Sequence, residues 1–132
     1  MEYDAEGFAY PVIDREKCVN CGLCRAACPM TKDLLYPKVE RVTGGYVNDR
    51  EVLEKSTSGG AFTALVKAWC TGSSYAVFGA AQTEKLTTEH RYITDLSDLD
   101  MLRKSKYDQS RIGTAYADCK RLLSEGRKVV FT

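Results

Sequence analysis

The chain has 132 residues, 44% of them hydrophobic and 28% charged, with a formal net charge of +1. These are the proportions of a soluble globular protein, one domain or one small domain with part of a second. The balance leaves no global field for nucleic acid or an anionic membrane, and no apolar run approaches the ~18 residues of a membrane span.

The acidic start, Met1 to Glu6, lacks the basic-then-apolar plan of a signal peptide. The cytoplasm is therefore the default expectation, and reducing conditions there disfavour disulfides. Residues 8–14 read as a short extended segment in which Pro11 marks an edge or a turn. Four of the six cysteines follow between Cys18 and Cys28. The stretch from Thr31 to Asp49 has poor periodicity and a Gly44-Gly45 turn signal, which predicts a connector containing a hairpin.

The run Ser56-Thr57-Ser58-Gly59-Gly60 predicts a helix start, because hydroxyl side chains accept from the free N–H groups of a first turn. Phe62, Leu65, Val66 and Trp69 then recur at helical spacing, which predicts that they face the core. Gly72 is the expected stop. Tyr75 to Ala81 is a continuous apolar run, the mark of a strand buried on both faces. Thr88 to Thr94 predicts a more polar strand, and Leu96 to Lys104 a helix capped by Asp95, Ser97 or Asp98. Ile112, Tyr116, Cys119, Leu122 and Leu123 define one face of a last helix ended by Gly126, and Arg127 to Thr132 begins a strand. The order predicts an α+β or α/β fold: a small ferredoxin-like module, then a partial α/β layer with some parallel pairing. An apolar strand at the very end of the chain reads as the mark of a fragment.

The cysteine run Cys18-Val19-Asn20-Cys21-Gly22-Leu23-Cys24-Arg25-Ala26-Ala27-Cys28-Pro29 has the spacing C-x2-C-x2-C-x3-C-P, that of the bacterial ferredoxins. A cubane 4Fe-4S cluster offers separate iron corners, each wanting a thiolate, and cysteines two residues apart let one looping backbone reach three of them. Gly22 permits close backbone approach, and Pro29 turns the chain away after the fourth thiol. Zinc is disfavoured because its sites pair two motifs across a longer spacer. In two-cluster ferredoxins the fourth cysteine of such a run serves the other cluster. Either one cluster takes Cys18, Cys21, Cys24 and Cys28, or Cys28 belongs to a second cluster whose own run is missing. Cys70 and Cys119 read as buried structural thiols rather than ligands.

Three segments give the chain a family resemblance. Gly7 to Asp14 is similar to a link between two ferredoxin motifs, Ser58 to Leu65 to an opening helix, and Ser105-Lys106-Tyr107 with Ser110 and Gly126 to Thr132 to the run-up to a Gly-Thr-Pro-Cys loop. In this order they resemble the beta subunit of coenzyme F-420 hydrogenase/dehydrogenase. The resemblance implies a flavin, FAD, with hydride or electron transfer to a deazaflavin or another acceptor. It implies flavin contacts at Ser58, Gly59, Gly60, Lys106 and Tyr107. Without it, Ser58 to Gly60 read as a plain cap, Lys106 as a solvated lysine and Tyr107 as a packing tyrosine; His90 has no assigned role.

The expected organisation is a 4Fe-4S module over 1–36 (or the second half of a two-cluster domain), a connector over 37–55 and the first part of a beta-subunit-like α/β domain over 56–132. The expected function is iron–sulfur electron transfer within a flavin-dependent oxidoreductase, with a redox partner protein or deazaflavin acceptor. The alternative is a non-catalytic, ferredoxin-like electron carrier or docking module.

Overall fold

The computed structural model describes residues 1–32 and 38–132. The protein is an α+β chain of two compact units, Met1–Thr43 and Gly44–Thr132. The boundary expected between residues 36 and 37 lies outside the described residues.

The first unit opens with an antiparallel pair, β1 (Glu2–Tyr3) and β2 (Ala9–Tyr10), in the register Glu2 to Tyr10 and Tyr3 to Ala9. Asp4 makes its turn. The Asp4 carboxylate accepts from the N–H groups of Glu6 (3.0 Å) and Phe8 (2.8 Å), and Gly7 takes φ 87°, open to glycine without steric cost. Pro11 follows directly and β2 ends, as a residue without an N–H dictates. A short helix, α1 (Leu23–Ala27), and a 3-10 turn at Pro29–Thr31 complete the described elements here.

The second unit is a three-stranded sheet of order β4-β3-β5, built from β3 (Tyr75–Gln82), β4 (Thr88–Ile93) and β5 (Lys128–Phe131). β3 pairs antiparallel with β4, from Val77 opposite Ile93 to Gln82 opposite Thr88, and parallel with β5, from Tyr75 beside Lys128 to Phe78 beside Phe131. The central strand is buried on both faces, and alternation along it splits the core in two. Tyr75, Val77 and Ala81 join Val66, Cys70, Ile93, Leu99 and Leu102 on one side; Ala76 and Phe78 join Ala115 and Leu122 on the other. α3 (Ala61–Trp69) and a 3-10 helix (Leu96–Met101) cover the first face, and α4 (Ala115–Ser124) covers the second. Burying a side chain such as Phe78 contributes about 1.5–3 kcal/mol.

Several expectations needed correction. Among the described residues between Thr31 and Asp49 no strand forms, so no hairpin is seen there. The expected connector instead contains a helix, α2 (Arg50–Glu54), whose first turn is capped by Asp49 accepting from the Val52 N–H at 3.2 Å. Its i,i+4 pairs, Arg50 with Glu54 and Lys55 with Glu51, belong to a helix with one buried residue, Val52, too short to show an apolar stripe. Leu96 to Lys104 is not an α-helix: it is 3-10 and ends at Met101. On α3 the buried positions are Thr63 and Val66, followed by Cys70 at its end; Leu65 and Trp69 are exposed, and Trp69 is 58% accessible. Thr63, whose polarity hid it, lies on the core face in Trp69's stead. Tyr116 and Leu123 are likewise exposed, and α4 faces the core through Ala115 and Leu122.

Candidate functional site

The cysteine loop begins where Asp14 organises the chain. Its carboxylate accepts from the N–H groups of Glu16 (3.1 Å) and Lys17 (3.3 Å), and the Lys17 ammonium at 3.1 Å holds that carboxyl below its ordinary range. Cys18 follows. Two left-handed residues, Asn20 (φ 52°) and Gly22 (φ 74°), flank Cys21. Kinks of this kind build concave, N–H-lined loops that favour anions. Gly22 is also the N-cap of α1, which carries Cys24. The helix ends at Cys28, whose N–H bonds the Arg25 carbonyl at 3.2 Å. Pro29 opens the 3-10 turn, and the Thr31 hydroxyl donates to the carbonyls of Arg25 (3.0 Å) and Cys28 (2.9 Å), so the fourth cysteine sits at a pinned corner.

All four cysteines are free thiols; Cys18, Cys21 and Cys24 are exposed and Cys28 is half-buried. Among the described residues no three His, Cys, Asp or Glu side chains converge as a ready metal site. The donor chemistry therefore fits an iron–sulfur cluster, soft thiolates at ferredoxin spacing in a loop turned by glycine, while the thiols themselves are not gathered. Cys70 is only 5% exposed, and burial pushes its thiol above the ordinary 9.0. Cys119 is half-buried against the Ala76–Phe78 side of the sheet.

The second unit contains a cleft of about 550 Å³. Ser58, Gly59, Gly60 and Lys106 line it; Tyr107 does not, and is 94% exposed. The two glycines are required by close packing. A Cβ on Gly59 would lie 2.5 Å from the Gly45 carbonyl oxygen, and Gly60, at φ 78°, would press one to 2.8 Å from Val47 Cγ2. The Lys106 ammonium donates to the Arg103 and Met101 carbonyls, and burial lowers its pKa. Two residues given no role by sequence also line the cleft. His90 bonds Ser110 Oγ (2.7 Å) and the Thr132 carbonyl (3.0 Å) while stacking on Phe131, and Arg103 keeps its guanidinium largely covered. The run Arg103-Lys104-Ser105-Lys106 was the available signal for a basic cleft wall.

Residues 9–30 match the family model described as a 4Fe-4S binding domain. The matched segment holds β2, all four clustered cysteines and α1, and stops at Met30. It supports a 4Fe-4S cluster as the cofactor, and with it an iron–sulfur electron-transfer role. No curated protein and no solved structure gives a match to the chain. No helix among the described residues is long and apolar enough to cross a membrane.

Proposed function

We propose that Cys18, Cys21, Cys24 and Cys28 hold one 4Fe-4S cluster and that the chain serves as the electron-relaying part of a flavin-dependent oxidoreductase similar to the coenzyme F-420 hydrogenase/dehydrogenase beta subunit. One observation carries the proposal: four free cysteines at ferredoxin spacing inside the segment that matches a 4Fe-4S binding domain. When bound, such a cluster supplies one-electron transfer at a potential set by its surroundings, in a range of roughly −700 to +450 mV.

The protein's task is to hold the cluster. Four thiolates supply the ligands, Asn20 and Gly22 turn the loop around them, and the Thr31 hydroxyl fixes the corner at Cys28. In the second unit Ser58, Gly59, Gly60 and Lys106 are the proposed contacts for FAD, with Tyr107 as a ring-stacking residue. The acceptor is then a redox partner protein or a deazaflavin.

Titration of FAD into the cluster-loaded chain separates this reading from that of a simple electron carrier. Saturable flavin binding, weakened by Ser58→Ala, is the outcome the proposal requires. An intact cluster with no flavin affinity would leave a ferredoxin-like carrier, and the flavin half of the proposal would fall.

A further inference from the structure

Cys28 is the clustered cysteine whose place does not follow from spacing alone. Cys18, Cys21 and Cys24 recur at every third residue, so one short loop can bring three thiols to three irons. Cys28 comes one residue later and closes α1, a helix of five residues. A helix this short has little stability of its own, so it does not by itself fix the residue at its end.

Thr31 supplies the missing constraint. The Cys28 N–H donates to the Arg25 carbonyl at 3.2 Å, and the Cys28 carbonyl accepts from the Thr31 N–H at 3.3 Å. The Thr31 hydroxyl is shared between the carbonyls of Arg25 (3.0 Å) and Cys28 (2.9 Å). One side chain thus ties the last turn of α1 to the 3-10 turn, with Cys28 between them. These bonds stand while, among the described residues, the thiols are not gathered into a metal site, so the corner belongs to the chain and does not wait for the metal. A ligand already held by partners of its own loses less freedom on binding and is recaptured more readily after it lets go.

We infer that Thr31 is a positioning residue for the cluster: its hydroxyl keeps Cys28 on the fourth iron, and without it that iron is the first to leave. The inference rests on the reading in which all four cysteines hold one 4Fe-4S cluster. Its chemical consequence is defined. Ferricyanide takes one electron from the dipositive four-iron core and becomes ferrocyanide. The oxidised core breaks the bonds to one iron, releases it as a ferrous ion and is left as a singly positive three-iron core. Cys18, Cys21 and Cys24 keep that core, and the Cys28 thiolate is set free.

The test follows this conversion in the full chain, reconstituted without oxygen. Electron paramagnetic resonance reads the three-iron core, and a ferrous chelator reads the released iron. Thr31→Val keeps the branched shape and removes the donor. Because the bonds it loses lie at the surface, the low end of the usual effect of removing a metal ligand's partner is expected, a conversion about tenfold faster than in the wild type. Thr31→Ser restores the hydroxyl and should convert as the wild type does. A Thr31→Val chain that converts at the wild-type rate, that fails to load, or that loses its whole cluster without a three-iron stage would each overturn the inference. So would a Thr31→Ser chain no slower than Thr31→Val. Cys28→Ser tells this failure from that of the underlying reading. If it loads and keeps the cluster as the wild type does, the four-cysteine reading falls; if it loses the cluster while Thr31→Val keeps it, only the role of Thr31 falls.

Discussion

At the residue scale, chemistry and packing divide the six cysteines. Cys18, Cys21 and Cys24 are exposed, an unusual place for a residue type that packs so readily, while Cys70 is buried in the core of the second unit. Serine at any of positions 18, 21, 24 or 28 is expected to abolish or strongly reduce iron and sulfide loading after anaerobic reconstitution. Cys119→Ser should load as the wild type does, and retention of full loading in Cys21→Ser would refute the ligand assignment. Cys70 makes a separate prediction. Its folded pKa lies above the unfolded value because burial disfavours the thiolate. Its contribution to stability is therefore complete below the unfolded pKa and is lost as pH rises through the folded one. Urea titrations of the metal-free protein should show a decline above about pH 9 that is weaker in Cys70→Ala. The ligand pattern was legible because covalent spacing alone writes it. The covering of Arg103 was not, because a local run of basic residues reads as solvated and only the fold buries its side chain.

The elements show the same contrast. β3 was readable from Tyr75 to Ala81 because a central strand buried on both faces must be apolar throughout, and α4 was readable from its spacing and from Gly126, which ends it at φ 78°. α2 escaped because five residues cannot display a helical period, and Asp49 was its one local signal. α3 ends at Trp69, short of the expected stop at Gly72, and only Val66 and Phe62 of its expected face pack on the core. Leu65 and Trp69 hold helical spacing but lie on its solvent side, with Trp69 6.0 Å from the Lys128 ammonium. Gly60 carries the most at this scale, since it joins α2 to α3 in a conformation L side chains avoid and packs against Val47 and Val52. Gly60→Ala should destabilise the second unit by about 1–3 kcal/mol in chemical denaturation, the sum of a left-handed alanine and a methyl forced on Val47. A variant within 0.5 kcal/mol of wild type would show that the turn has another conformation open to it.

For the whole molecule, the division into Met1–Thr43 and Gly44–Thr132 separates two sources of stability. The second unit has a two-sided core that needs no metal. The first has no residue buried among those described, and a unit so small needs a metal or disulfides to hold it. Removing iron with a chelator should therefore release amide-hydrogen protection around residues 18–31 while leaving β3 and α4 protected. Equal loss in both units would mean that the cluster supports the whole chain. The two-part character was legible in the abrupt change from clustered cysteines to alternating strands and helices. The place of the join was not, because the Gly44-Gly45 pair that marks it reads equally well as a turn inside a connector.

The central claim is that these four thiols hold iron and inorganic sulfide, and it is most directly tested by metal and acid-labile sulfide analysis of the chain purified or reconstituted without oxygen. We predict brown protein with iron and sulfide in equal amounts, bleached by air and absent from the variant lacking Cys21. Colourless protein holding zinc without sulfide would contradict it.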